Sequence, residues 1–236
     1  MMFRTLLDLV YPRFCAGCGG AVGANESHVC WDCLSAIQYV AHPYCSHCGD
    51  PVFGRVDEAF TCYTCSSATP HFDRARSAAR YQGPLQEIMR NFKYRKGLWT
   101  GDDIAQLLLA CVNSHFDVDE VDAVAFVPLY PARQRQRGYN QAEVLAAAVA
   151  HRLRKPLLRR CLARVRPTPS QTGLTAKARA SNVENAFKVR RPGHVQGRSV
   201  LLVDDVMTTG ATVNECARVL KKAGASRVWV ATVARG

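Results

Sequence analysis

Four Cys-x-x-Cys pairs, all before residue 66, hold eight of the chain's 11 cysteines. Cys15/Cys18 and Cys30/Cys33 are separated by 11 residues, and Cys45/Cys48 and Cys62/Cys65 by 13. Paired thiols at this spacing converge on one ion, and four sulfurs per site suit tetrahedral zinc. Gly19 and Gly49 follow the first pair of each set and relieve the tight turn. The pattern predicts two sequential four-cysteine Zn2+ sites, with cross-braced pairing or a single zinc as alternatives, and with His28, His42 and His47 as bystanders. Such closed sites are structural, because a module this small has too little core to fold without help. Trp31, Tyr39, Tyr44 and Tyr63 are expected in that small core rather than as stacking platforms.

Cys111, Cys161 and Cys216 are scattered through the remainder. The chain is therefore expected to divide into a cysteine module over residues 1–70 and a larger domain over 71–236, near the common domain size. The opening residues 1–10 are amphipathic, too short and charged to span a bilayer, and lack a small-residue cleavage site. A cytoplasmic location without a transmembrane segment follows, and a reducing compartment favours thiol-bound zinc over disulfides.

Net charge is +12, and it is uneven. Residues 1–71 carry 3 basic and 6 acidic groups, whereas residues 151–198 carry 13 basic groups against Glu184 alone. That stretch calls for an anionic partner, or else forms a solvated face without function. Phosphate compounds and single-stranded DNA both qualify, although Phe187 is the only aromatic there that could stack on a base.

Periodicity from residue 72 onward alternates strands and helices. Strands are expected at 72–81, 123–127, 199–203 and 227–233, and helices at 84–93, 101–115, 140–153 and 212–223. A mostly parallel sheet covered by helices fits this α/β order, with ligands beyond the carboxyl ends of its strands. Residues 159–197 are polar and basic, with one short helix expected near 174–185, and read as a working loop or lid.

The most specific stretch is Val200-Leu201-Leu202-Val203-Asp204-Asp205-Val206-Met207-Thr208-Thr209-Gly210-Ala211-Thr212. Its apolar half makes a buried strand, and Asp204 and Asp205 at the end can reach a ribose diol directly or through Mg2+. Thr208, Thr209 and Thr212 supply hydroxyls, Gly210 permits a tight turn, and the following helix offers unpaired amides to a phosphate. Arg133, Arg135, Arg137 and Gly138 follow the strand ending at Pro128 and read as a strand-to-helix turn for diphosphate. Lys177 and Arg179, flanked by Gln171 and Asn182, are candidates for a closing lid. Arg159, Arg160, Arg164 and Arg166 lie outside both phosphate loops and are expected to serve DNA, if DNA is the partner.

Residues 200–212 resemble the fingerprint of type I phosphoribosyltransferases. Together with the cysteines, Arg137-Gly138-Tyr139-Asn140-Gln141 and residues 171–182, the chain is similar over its full length to the ComF family, which includes GntX-type proteins. The resemblance implies a zinc ribbon followed by a phosphoribosyltransferase fold, and 5-phosphoribosyl 1-diphosphate with Mg2+ as ligand. It also implies a link to natural competence and the use of external DNA. In that reading Asp204, Asp205, Arg133 and Arg137 are the catalytic set, while Arg135, Lys177, Arg179 and residues 206–212 bind the ligand. No residue identifies itself as acid or base, and none identifies the acceptor, so a ribose-phosphate or single-strand binding protein stands beside the enzyme.

Overall fold

The computed structural model describes residues 13–23, 27–52, 54, 56, 59–94, 97–167 and 176–236, with the side chains of 176–178 and 180 outside the description. The amphipathic opening and Gln171 lie outside the described residues.

Parallel strands covered on both faces read as continuous apolar runs, and four segments here are buried almost end to end. These are β1 (Arg74–Arg80), β2 (Ala123–Phe126), β5 (Ser199–Met207) and β6 (Arg227–Arg235), which form an all-parallel sheet in the order β1-β6-β5-β2. A small antiparallel pair, β3 (Leu162–Arg164) and β4 (Phe187–Val189), stands apart from it. Short helices α1 (Trp31–Ser35) and α2 (Tyr63–Ser67) follow the second cysteine pair's first member in each ribbon. The larger helices are α3 (Pro84–Tyr94), α4 (Gly101–His115), α6 (Gln141–Leu153) and α8 (Ala211–Lys222), with α5 (Pro131–Arg137) and α7 (Ala176–Val183) between them.

The expected strands and main helices are present within a few residues of their expected ends. Two differences matter for the site. First, the segment read as an arginine turn is helix α5, begun by Pro131 in the first turn and ended by Gly138 at φ +86°. Second, β5 continues four residues past Val203, paired only with β6. Its other neighbour ends at Phe126 because Pro128, two residues on, has no N–H to donate. One edge of β5 is thereby uncovered at Asp204 to Val206, and a cleft opens there.

The sheet separates two apolar clusters. On one face α3, α4 and α6 pack on Leu201, Val203, Ala231 and Val233, and this cluster includes Cys15, Cys33 and Ile37 of the first ribbon. On the other, α8 and the β3–β4 pair pack on Leu202, Val228 and Val230, and this cluster includes Cys45, Cys48 and Cys65 of the second. Each ribbon thus belongs to the core of one face. The chain between them runs along β1, with Val40 N–H donating to Ala78 at 3.0 Å and Arg80 N–H to Gln38 at 2.8 Å, and so covers a sheet edge that would otherwise invite other strands. Arg76 on β1 is buried, donates twice to the Ser46 carbonyl at 3.1 Å and lies 4.6 Å over the Tyr44 ring. Tyr44 is packed as expected of a core aromatic. Trp31, Tyr39 and Tyr63 are not, being 66%, 55% and 86% exposed, because the ribbons bury their cysteines against the main domain and turn the residues beside them outward.

No helix among the described residues is long and apolar enough to cross a membrane.

Candidate zinc centres and ribose-phosphate cleft

The eight cysteines fall into two groups, Cys15, Cys18, Cys30 and Cys33, and Cys45, Cys48, Cys62 and Cys65, with all sulfurs of a group within 4.8 Å of one another. Pairing is therefore sequential and not cross-braced. A tetrahedron with zinc–sulfur bonds of about 2.3 Å has edges of about 3.8 Å. Cys18 Sγ lies 3.8 Å from Cys30 Sγ, and Cys48 Sγ lies 3.7 Å from Cys62 Sγ, so the donor sets fit the ion. The two turns are near copies: Gly19 N–H donates to Cys15 and Gly49 N–H to Cys45, both at 2.9 Å. Burial pushes the Cys15 and Cys45 thiols up, but surrounding backbone N–H donors outweigh it and hold them at about 6 and about 7. Burial also raises Cys65, to about 12, and raises Cys33 and Cys48 further. His28 is a bystander to metal, its backbone N–H bound to Asp103 of α4 at 3.1 Å. All four positions of each site are filled by sulfur, which makes the ions structural.

The cleft at the end of β5 measures about 390 Å3. On its floor Asp204 accepts a hydrogen bond from Asp205 N–H at 2.9 Å, and Asp205 pairs with Lys93 Nζ at 3.1 Å. Burial first, then the neighbouring Asp205 carboxylate, lifts Asp204 to about 8, so it holds a proton at neutral pH. Burial alone would lower the Lys93 ammonium, but Asp205, Tyr81 and Asp204 together hold it above its ordinary value. Val206, Thr208 and Thr212 complete this wall. Gly210 caps the start of α8 at φ +78°, a left-handed conformation that strains residues with a side chain, and a Cβ there would also push the Met207 methyl aside from 2.8 Å.

Opposite stand Arg133 and Arg137, one helical turn apart on α5 and therefore on the same face. Arg135 lies between them on the other face of the helix, where it is exposed and does not line the cleft. The Arg-Gly-Tyr-Asn-Gln segment now has a job for each residue. Arg137 donates to Gln141 Oε1 at 2.9 Å and to the Tyr94 hydroxyl at 3.2 Å. Gly138 ends α5, and the Tyr139 hydroxyl donates to the Phe92 carbonyl. Asn140 caps α6, accepting from Ala142 N–H at 3.1 Å while donating to the Val127 carbonyl at 3.0 Å. Gln141 is 1% exposed, lines the cleft, and its Nε2 finds no hydrogen-bond partner among the described residues. A buried amide donor in that state costs about 1–3 kcal/mol until an acceptor arrives.

Met207, Thr209, Gly210 and Ala211 line an adjoining cavity against the second ribbon, and Arg179 and Thr208 line both. Arg179 thus lines the cleft, while the Lys177 side chain lies outside the description. Arg164, on β3 and expected to serve DNA, lines the cleft; its guanidinium lies 5.3 Å over the Phe187 ring, and burial lowers its pKa. Sequence reasoning missed Lys93, Tyr81 and Tyr94, which arrive from the far side of the sheet on α3 and the β1–α3 turn.

Comparison with known proteins agrees with both parts of the chain. A double zinc ribbon domain matches residues 6–66, and a phosphoribosyl transferase domain matches residues 140–236. The chain is 33% identical to competence protein F of Haemophilus influenzae, over 94% of its own length and 96% of that protein. It is 31% identical to DNA utilization protein YhgH of Salmonella typhimurium over the same shares, and 25% identical to competence protein ComFC of Bacillus subtilis over 84% and 80%. A solved purine phosphoribosyltransferase from Pyrococcus horikoshii covers 58% of this chain and 75% of its own at 20% identity, with a TM-score of 0.36, too loose to carry an argument. With a relative at that identity along nearly the whole of both chains, this protein belongs to the ComF family.

Proposed function

We propose that the cleft binds 5-phosphoribosyl 1-diphosphate and that the protein is a phosphoribosyltransferase acting on a nitrogen acceptor. One juxtaposition carries the reading: paired carboxylates on the floor, a threonine-rich turn at a helix start on one wall, and Arg133, Arg137 and the unpartnered Gln141 amide on the other. A ribose diol fits the first, its 5-phosphate the second, and a diphosphate the third. Asp204 and the oxygen of Asp205 not paired with Lys93 are hard donors of the kind that share Mg2+ with ligand phosphates. The ion, held there with the diphosphate, would offset charge on the leaving group. The chain's own residues do the rest. Arg133 and Arg137 stabilise the charge that gathers as the bond from C1 to the diphosphate oxygen breaks, the diphosphate leaving with the electron pair. Asp205, fixed by Lys93, favours the positive character at C1 while an acceptor nitrogen forms its bond there. The acceptor's proton goes to water. A reducing cytoplasm, where eight thiols stay available to zinc, is the location consistent with this account.

The test is incubation of purified protein with phosphoribosyl diphosphate, Mg2+ and single nucleobases, with mass spectrometry of the products. The expected result is diphosphate release with one new N-glycoside, lost on Arg137→Ala; no N-glycoside from any nucleobase would reject the transferase.

A second reading has its own observation. Arg152, Arg154, Arg159, Arg160, Lys188, Arg190 and Arg191 are exposed, and of these Arg159 is paired with Glu143 at 3.6 Å. Arg166, by contrast, donates to the Asn182 and Glu184 carbonyls and holds the chain that returns to β4. We assign the exposed set to non-specific contact with single-stranded DNA, in keeping with relatives named for competence and DNA utilization, and with a partner in the competence machinery. Log affinity for a labelled strand should fall with log salt by about 0.7 per phosphate contacted. Neutralising Arg159, Arg160, Arg190 and Arg191 should flatten that slope in fluorescence anisotropy, and an unchanged slope would remove the assignment.

A further inference from the structure

No residue of α5 is buried, so packing does not fix where its arginines point. Arg137 is fixed from outside the helix instead. Its Nη1 donates to Gln141 Oε1 at 2.9 Å, its Nη2 donates to the Tyr94 hydroxyl at 3.2 Å, and its Cζ lies 5.0 Å from the centre of the Tyr94 ring. Acceptors on both Nη atoms define the plane of a guanidinium, because its five N–H groups form a rigid fork. Arg133, one turn earlier, has no hydrogen bond or ion pair among the described residues. Tyr94 can hold Arg137 because α3 is itself anchored: Leu85, Ile88, Met89 and Phe92 are buried, and Asn91 Nδ2 donates to the Ala16 carbonyl at 2.6 Å.

The last three residues of α3 reach both sides of the cleft. The Phe92 carbonyl accepts from the Tyr139 hydroxyl just past α5, Lys93 pairs with Asp205 on the floor at 3.1 Å, and Tyr94 meets Arg137 on the opposite wall. One helical turn thereby sets the floor and the arginine wall relative to each other. The Tyr94 side chain is 65% exposed and adds little to the core, so its contacts with Arg137 are what distinguish it. We propose that Tyr94 is a positioning residue, whose ring and hydroxyl hold the Arg137 guanidinium in the orientation that receives the ligand's diphosphate. Its part in ligand binding rests on the ribose-phosphate reading; the restraint on Arg137 does not. A donor set in place beforehand binds an anion more tightly, because less freedom is lost on binding. The same contacts aim Gln141: with its Oε1 taken by Arg137, the unpartnered Nε2 is the atom left for the ligand.

Two readouts test this. Arginine side chains labelled in 13C and 15N report the restraint with no ligand present, the Arg137 signals being assigned through Arg137→Met. Hindered rotation of the guanidinium should keep the two Nη signals of Arg137 apart in the parent protein. Tyr94→Phe, which keeps the ring and removes the hydroxyl, should narrow their separation, and Tyr94→Leu should merge them, with Arg133 unchanged in both. In calorimetric titrations with Mg2+, Tyr94→Phe should weaken phosphoribosyl diphosphate and inorganic diphosphate by about three- to tenfold. Ribose 5-phosphate, which lacks the diphosphate, should bind within about twofold of the parent, and in an Arg137→Met background Tyr94→Phe should cost diphosphate less than about twofold. Arg137 signals indifferent to both Tyr94 variants overturn the inference. So does an equal loss of diphosphate affinity with and without Arg137, or a loss for ribose 5-phosphate as large as that for phosphoribosyl diphosphate. A parent protein that binds no diphosphate compound, while its Arg137 signals respond as stated, would uphold the restraint and count against the proposed function.

Discussion

Replacing Cys45 by serine is expected to remove one of two zinc ions per chain, lower the melting temperature by about 10–20 °C, and weaken phosphoribosyl diphosphate binding. Structural zinc contributes about 10–16 kcal/mol of binding free energy in small zinc-dependent peptides, comparable with the whole stability of an ordinary domain. Only part of that is felt here, because the ribbon is also held by packing. A loss on the order of 5 kcal/mol in a chain of this size gives the stated shift in melting. The loss should spread, since Cys45, Cys48 and Cys65 share a cluster with Phe72, Met207, Val213 and Leu220 and so support the turn from Thr208 to Ala211. Cys15→Ser should cost the other zinc and loosen α3 instead, through Cys15, Ala16 and the Asn91 amide that donates to the Ala16 carbonyl at 2.6 Å. A cysteine module over residues 1–70 that was independent of the larger domain would melt alone in these variants and leave the main transition unchanged. The shared clusters argue for one cooperative loss in each variant. Metal analysis with differential scanning calorimetry decides it: a parent stoichiometry below two removes the two-site account, and an unaltered main transition in Cys45→Ser removes the coupling.

Much of this molecule is legible in its sequence. The run from Val200 to Val203 could only be a buried strand, and Asp204, Asp205 and the threonines after it sit where its carboxyl end leads. The cysteine spacing carried the metal sites, because a knuckle is a local structure. What failed to show was set by distance or by helix phase. Arg133, Arg135 and Arg137 alternate like a strand or loop, and no apolar period marks α5; only Pro131 and Gly138, a helix start and stop, announced it. Lys93 is one cation at the end of an amphipathic helix, and its approach to Asp205 depends on how α3 crosses the sheet. The place of Arg164 in the cleft lining went unread for the same reason, since strands of three residues such as β3 and β4 leave no pattern to read. The outward turn of Trp31 and Tyr63 follows from the ribbons docking on opposite faces of the sheet, a tertiary fact.

Lys93 also changes what the two carboxylates do for folding, and the outcome differs sharply between them. Asp204 holds its proton more tightly folded than unfolded, with a pKa raised from 3.8 to about 8. Its burial therefore costs nothing below pH 4, costs progressively more as pH rises to about 8, and is constant above that. Asp204→Asn should be more stable than the parent by a few kcal/mol near pH 8, with the gain vanishing toward pH 4. Asp205→Asn takes the partner from Lys93 at 3.1 Å, but Asp204 can then ionise in its place, so a smaller loss is expected. The double variant leaves Lys93 with no carboxylate and should be destabilised by about 3–5 kcal/mol, well beyond the sum of the single changes. Urea denaturation at pH 5 and pH 8 reads all three. For ligand binding the two carboxylates should act alike, because in the proposed complex both would face the ribose and the ion, and the proton on Asp204 would leave as they engage. Calorimetric titration of phosphoribosyl diphosphate with Mg2+ measures this directly. The account predicts binding to the parent that tightens by up to tenfold per pH unit from pH 6 to about 8 and weakens at least tenfold in either single variant. No heat of binding to the parent, or equal affinity in parent, Asp204→Asn and Asp205→Asn, would contradict it.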